Sequence, residues 1–289
     1  MRIVQPETLP EALEILQRGP EARVIGGGTA LTLLVRERLL QPDVLVSLRR
    51  VPGLTGIDVD EERGTAVIGA LATHREVARH DPLAGEVPLL REVFGLVGNA
   101  RVRNIATVGG VVAEADYASD PPGALVALDA TVRCAGASGE RRIPLSDFYR
   151  GYFATALHED ELVTAVEVPL PQAGTGSAYV KFSTRSSEDR PCLGATAIVA
   201  LDGDGRCRDL RVVVGATTEV PLTKREVERD AVGHELSPEV RREIGERYAD
   251  GARTLSDSRG SAEYRRRMIA VWVPRVIELA CARAGGAPT

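Results

Sequence analysis

The residues best suited to chemistry lie between Gly98 and Gly123, in the run GNARVRNIATVGGVVAEADYASDPPG. A β-branched apolar stretch, residues 105–108, leads into Gly109 and Gly110. Adjacent glycines expose bare backbone N–H groups and reach conformations closed to other residues. The stretch therefore reads as a strand, a tight turn and a helix start, with a nest able to hold a phosphate. Asp120 precedes Pro121 and Pro122, a helix-start pattern in which the aspartate caps free N–H groups. A second glycine loop lies far upstream, in ARVIGGGTALTLL (22–34). Val24 and Ile25 end an apolar strand, Gly26, Gly27 and Gly28 turn it, and Thr29 and Ala30 open a helix-like run. It is not the dinucleotide fingerprint, because Leu31 stands in place of that motif's last glycine. It is not a P-loop, because no Gly-Lys-Ser/Thr follows. Each loop alone also has a plain structural reading as a strand–helix turn. Two of them in one chain could grip a diphosphate from both sides.

The flanking pattern supplies elements to position these loops. Thr8 and Glu11 form a capping box before a short helix that Gly19 ends. Strands are expected at 22–26 and 44–48, with a helix between them from Thr29 towards Leu40, broken by Pro42. This β–loop–α–β order makes a small α/β unit. A strand pair at 54–59 and 65–68 follows, then a helix opened by the capping box of Thr73 and Glu76, and another helix at 89–97. Beyond the second loop come an apolar run at 124–130, a strand at 131–134, a turn at 136–139, a short helix or docking segment at 145–152 and a strand at 162–168. Pro169, Pro171, Gly174 and Gly176 mark a linker. Strands at 178–182, 195–201 and 210–215 form a small antiparallel sheet. From Ser237 the pattern turns helical, and Ser261 caps a long final helix in which Pro274 should place a kink.

Composition narrows the function. A length of 289 residues suits two domains, or one with subdomains, at ~100–200 residues each. The net charge of −5 gives no basic footprint for nucleic acid. No apolar run reaches membrane-spanning length, and the acidic, amphipathic start is unlike a signal peptide, so a cytoplasmic location is expected. Cys134, Cys192, Cys207 and Cys281 are dispersed with no C-x-x-C pair, which argues against zinc or an iron–sulfur cluster. The histidines, His74, His80, His158 and His234, show no metal spacing and no nucleophile beside them. The Arg265-Arg266-Arg267 run suggests an anion site, but reads better as one exposed face of the last helix with a salt-bridge partner. No catalytic residue and no metal ligand is assigned; if the chain handles electrons, the metal centres must lie on other chains.

Taken together, VIGGGTALTLL and RVRNIATVGGVVAEADYASDPPGALVALDA resemble the flavin-binding medium subunit of the molybdenum hydroxylases, the carbon monoxide dehydrogenase and xanthine dehydrogenase family. AVIGALATHREV (66–77), RRIPLSDFYRGYFATALHEDELVTAVEVPLP (141–171) and RGSAEYRRRMIAVWVPRVIELA (259–280) extend the resemblance over nearly the whole chain. It implies an α+β fold: an FAD-binding domain of the PCMH type at 1–173, in subdomains of about 1–53 and 54–173, and a C-terminal domain at 177–289 of small antiparallel sheet plus helices.

The resemblance also implies FAD as the cofactor. The molybdenum cofactor and two-iron–two-sulfur clusters would sit on partners, a large molybdenum subunit and a small iron–sulfur subunit, in a dimer of heterotrimers. Candidate flavin contacts are Val24, Ile25, Gly26, Gly27, Gly28, Thr29 and Ala30 in the first loop. In the second they are Thr107, Val108, Gly109, Gly110 and Val111. Val111 stands where relatives carry Asn or another small polar residue, so one side-chain hydrogen bond is expected to be absent. Glu114 occupies the place of a polar flavin neighbour. Asp120 matches a residue on the flavin chain, its other reading being the helix cap. Lys181 matches a lysine that reaches the flavin, its other reading being a solvated surface lysine. Replacing Gly109 or Gly110 by Val is expected to remove flavin and leave a folded chain. The alternatives are an autonomous FAD-dependent oxidoreductase on the same two-loop domain, and a nucleotide-binding module without redox activity.

Overall fold

A computed structural model describes residues 1–19 and 21–285; the last four residues of the expected 177–289 domain lie outside the described residues. The chain opens with β1 (Arg2–Val4), α1 (Leu9–Gln17), β2 (Ala22–Ile25), α2 (Leu31–Arg36) and β3 (Val44–Ser47). The three strands form a parallel sheet in the order β1-β3-β2. Thr8 Oγ1 caps α1 by accepting from the Glu11 N–H. The helix then buries Ala12 and Leu16 in one cluster with Val46 and Leu48. Helix α2 is only half the expected length. Arg38 takes a left-handed φ of 59°, and the Leu39 and Leu40 N–H groups fold back onto the Leu34 carbonyl. The physical reason is the lack of cover: α2 buries no residue, and Leu33 and Leu39 are 50% and 75% exposed.

The next region holds β4 (Ile57–Asp60), β5 (Thr65–Gly69), α3 (His74–Arg79), α4 (Asp81–Glu86), α5 (Pro88–Gly95), α6 (Ala100–Arg103), α7 (Val108–Glu114) and α8 (Asp120–Ala127). Then come β6 (Thr131–Gly136), β7 (Gly139–Pro144), β8 (Tyr149–Gly151), β9 (Ala154–Thr155) and β10 (Leu162–Pro169). Five strands form an antiparallel sheet, β4-β5-β10-β6-β7, with the last strand at its centre. Both halves of the Thr73–Glu76 capping box are made. Two sequence expectations fail here. Residues 105–108 are not a strand; Thr107 is extended but caps α7, and its one ladder contact is an isolated bridge to Thr73. Of the two readings for residues 145–152, the helix is not made: a single 3-10 turn leads into β8, which pairs with β9.

The last region is a meander of β11 (Thr175–Phe182), β12 (Leu193–Leu201) and β13 (Cys207–Gly215), then α9 (Arg225–Asp230), α10 (Pro238–Ala249) and α11 (Ala262–Ala284). Alternation along the strands gives the sheet two apolar faces. One, including Ala178, Ala197 and Val212, packs with Tyr248, Ile269, Val273 and Ile277 of α10 and α11. The other, including Tyr179, Ile198 and Val213, joins the core of the preceding region. Helix α8 lies against that second face, and all eight of its residues are buried. The arginine run is corrected at its first member. Arg265 is fully buried, donating to Asp257 at 2.7 Å and to the Leu255 and Cys192 carbonyls. Arg265, Tyr117 and Arg259 outweigh the burial that would push Asp257 up, and hold its carboxyl below the usual carboxylate range.

Candidate functional site: two apposed glycine loops

The two glycine loops touch. A Cβ added to Gly27 would stand 1.9 Å from the Ile105 carbonyl oxygen, and one on Gly26 would stand 2.7 Å from Thr107 Oγ1. Glycine is required at Gly27 because backbone meets backbone there, while at Gly26 it makes room for the Thr107 side chain that caps α7. Behind them a third loop, residues 69–73, leaves β5. Its carbonyls fix the second glycine loop. The Gly109 N–H donates to Ala70 O at 2.8 Å, and the Val108 N–H to Ala72 O at 2.9 Å. The His74 N–H returns a bond to Ala106 O at 3.0 Å. A Cβ on Gly109 would lie 2.6 Å from the Ala70 Cβ. Gly110 in turn donates its N–H to the capping Thr107 Oγ1 at 3.2 Å. The expected phosphate nest at Gly109 and Gly110 is therefore corrected: both N–H groups are engaged by the protein itself, in the first turn of a capped helix.

The first loop is built differently. Gly28 sits at φ +77°, and its carbonyl accepts from both the N–H and the hydroxyl of Thr32. Among the described residues, the N–H groups of Gly27, Gly28, Thr29 and Ala30 donate to no protein acceptor. Val24 and Ile25 pair with Val46 and Ser47 and hold the loop in the sheet. Four successive free donors where a strand gives way to a helix are groups that could hold an anion. All four residues are half-buried.

Helix α7 presents one open face beside the second loop. Val108, Gly109, Val111 and Val112 are buried, while Gly110 and Ala113 are exposed and Glu114 is partly so. Positions i, i+3 and i+4 share a helix face. Val111 points into the core at 8% exposure, so the polar group it lacks would not stand on the open face.

Glu114 belongs to a three-member charge cluster. Arg190, on the segment joining β11 to β12, places Nε 2.6 Å from Asp116 but reaches Glu114 only at 3.8 Å. Asp116 also accepts the Ala118 N–H at 3.0 Å. Burial, then the Asp116 charge, push the Glu114 carboxyl up to about 7 against the pull of Arg190.

Asp120 and Lys181 are brought together, and both alternative readings change. Asp120 is the first residue of α8, not its cap; Ser119 holds the cap position and makes no side-chain bond there. The carboxylate accepts from Tyr179 Oη at 2.6 Å and Lys181 Nζ at 3.1 Å. Lys181 also donates to Leu96 O at 2.8 Å. Their side chains are 4% and 5% exposed, so Lys181 is no solvated surface lysine. Burial pushes the Asp120 carboxyl up, with Lys181 and Tyr179 pulling it back. Removing one member of such a pair costs about 3–5 kcal/mol, because the other is left charged and dry.

His74 lies under the loop junction, fully buried with its ring edge against Phe94 at 5.0 Å. Among the described residues neither ring nitrogen meets hydrogen-bond geometry with a partner. Burial pushes its pKa down to about 4; the Thr107 backbone opposes this and Arg103 adds to it.

Sequence reasoning passed over Thr32, Ala70, Asp116 and Arg190. Ala70 acts through its backbone, which no side-chain pattern reports. Arg190 lies in the connection that follows β11 and differs from its neighbours only by whom it meets. Among the described residues no group of three or more His, Cys, Asp or Glu could hold a metal, and no helix is long and apolar enough to cross a membrane.

Comparison with known proteins shows the family to which the chain belongs. Residues 1–171 match the family described as the FAD binding domain in molybdopterin dehydrogenase, and residues 178–280 the CO dehydrogenase flavoprotein C-terminal domain. The carbon monoxide dehydrogenase medium chain of Afipia carboxidovorans is 33% identical, over 97% of this chain and 96% of that one. The glyceraldehyde dehydrogenase medium chain of Sulfolobus acidocaldarius is 31% identical, over 93% and 94%. The crystal structure of quinoline 2-oxidoreductase from Pseudomonas putida 86 superposes with a TM-score of 0.92 at 30% identity, covering 99% of this chain and 98% of that one. The chain belongs to the FAD-binding medium subunits of the molybdenum hydroxylase family, the family of the carbon monoxide and xanthine dehydrogenases.

Proposed function

We propose that the FAD diphosphate rests on the free N–H groups of Gly27, Gly28, Thr29 and Ala30, and that the cofactor runs on over the open face of α7. The observation that carries this reading is the run of four unengaged donors in a loop that touches the second glycine loop. A diphosphate offers the matching acceptors and negative charge, so the residues present fit the group. Val24, Ile25 and Gly26 hold the cradle in place. Thr107, Val108, Gly109 and Gly110 form the opposing wall, Gly110 presenting bare backbone and Gly109 locking the wall to Ala70. Val111 supports from the core side, and Glu114 closes the open face at its far end. Asp120 and Lys181 act on the cofactor through the buried pair that fixes α8 to β11.

Bound FAD supplies the two-electron and one-electron redox chemistry. The chain's own residues bind it, orient it and set its surroundings. In this reading electrons arrive from two-iron–two-sulfur clusters on a small subunit, after substrate oxidation on a large molybdenum subunit, and leave to an external acceptor. The assembly would be a dimer of heterotrimers in the cytoplasm. The test is to purify the full chain, release its cofactor by denaturation and identify it by chromatography, then mix the flavoprotein anaerobically with the two partner subunits and substrate. FAD near one per chain, and flavin bleaching that requires all three subunits, is the expected result. FMN or no flavin would overturn the diphosphate cradle, and substrate-driven bleaching by this chain alone would favour an autonomous oxidoreductase.

A further inference from the structure

We propose that Glu114 is the group that takes up a proton when the bound flavin is reduced, tying proton binding by this chain to the redox state of its cofactor. The inference rests on the FAD reading above. The open face of α7 runs from Gly110 through Ala113 to Glu114. Gly110 and Ala113 carry almost no side chain, so a flat ligand can lie along the helix, and Glu114 is the one ionisable residue of the three.

The charges around Glu114 are uneven. Two groups act on it: Asp116 in the loop after α7, and Arg190 from the segment between β11 and β12. One guanidinium thus serves two carboxylates. Asp116 takes the close bond at 2.6 Å and a backbone N–H besides, leaving Glu114 at 3.8 Å with its side chain 20% exposed. Glu114 is also the last residue of α7, where helix carbonyls point and a negative charge is disfavoured. The carboxyl is therefore poised near neutrality, while Asp116 keeps the cation.

Reduction places new negative charge on the cofactor. A like charge beside a half-buried carboxylate favours its neutral form. The electrons go from the iron–sulfur donor to the flavin. The proton comes from solvent and forms one O–H bond on Glu114, converting carboxylate to carboxylic acid. Reoxidation returns the proton to solvent.

The experiment is a spectroelectrochemical titration of the FAD-loaded full chain over about pH 6 to 9, spanning the neutral range in which this carboxyl is poised. In the wild-type chain, midpoint potential should fall more steeply with pH above neutrality. The added slope is one proton per two electrons, tenfold in the reduction equilibrium or about 30 mV per pH unit. Glu114→Gln should lack this steep segment. Arg190→Gln should move it to higher pH, because the cation that favours the carboxylate is gone. Identical potential–pH lines for wild type and a fully flavinated Glu114→Gln would overturn this inference alone. If Glu114→Gln does not fold, an unmoved segment in Arg190→Gln overturns it. A full chain that binds no FAD would overturn the function reading and this inference with it.

Discussion

The two glycine loops share a composition and do opposite things with it. In the first, Gly28 adopts a left-handed φ and four consecutive N–H groups are free among the described residues. In the second, no φ is left-handed, and Gly109 and Gly110 give their N–H groups to Ala70 and Thr107. One loop uses glycine to turn and expose backbone. The other uses it to let chains approach. A pair of glycines after an apolar run thus has two readings, and only the partners of the N–H groups separate them.

Substitutions can break or sharpen this contrast, starting with the largest effect. Gly109→Val should cost more than about 3 kcal/mol, beyond the usual overpacking range, because its Cβ meets Ala70 backbone and side chain with nowhere to move. Chemical denaturation should show the loss with or without FAD. The expectation that either glycine can be replaced while the fold is kept is therefore restricted to Gly110. A Gly109→Val chain of normal stability would return the second loop to the role of a ligand nest.

His74 supports that loop from beneath, and its titration measures how tightly the junction is packed. Its folded pKa, about 4, lies below the unfolded 6.5. Between these values the unfolded chain binds the extra proton, so stability falls as pH drops through the window. The loss totals about 3 kcal/mol at roughly 1.4 kcal/mol per pK unit. His74→Leu should flatten the profile of Tm against pH between pH 6.5 and about 4. An unchanged profile would mean that water reaches the imidazole.

Gly28→Ala should cost about 1–2 kcal/mol for the left-handed backbone, with flavin retention falling alongside, and Gly28→Asn should be milder because Asn tolerates that region. Full retention in Gly28→Ala would show that the cradle does not depend on its turn. Gly110→Ala should change stability least. Its Cβ disturbs the Thr107 cap, worth ~1 kcal/mol, but Ala gains about as much over Gly inside a helix. Its effect should appear in FAD retention, measured after gel filtration, since Gly110 is on the open face.

Much of this was legible in the sequence, and most of the failures come from partners that the local pattern does not show. The caps at Thr8, Thr73 and Ser261, the turn that follows β6 and the final meander were readable because local rules decide them. The apolar run at 105–108 was misread because β-branched residues also suit an extended cap before a helix, and the Ala70 and Ala72 carbonyls that select the cap are distant in sequence. Asp120 before two prolines has the form of a cap, but Tyr179 and Lys181, brought by a different region, claim its carboxylate. Arg265 looked like one of three exposed arginines until Asp257 and two carbonyls were found around it. For residues 105–108 and Asp120 the overriding partners lie far along the chain, whereas for Arg265 the partners Asp257 and Leu255 are near in sequence and Cys192 is distant.

The complete burial of α8 bears on how the protein is made. The ribosome finishes α8 well before β11, β12 and β13 exist, so the nascent chain carries an apolar helix packed on α5 and α7 but open on the face the meander will cover, and an aspartate with no lysine. The boundary between the two family matches, at residues 171–178, divides the sequence without dividing the cooperative unit. A fragment stopping there should be held by chaperones or aggregate, whereas a mature chain nicked by a protease at the same place should stay in one piece.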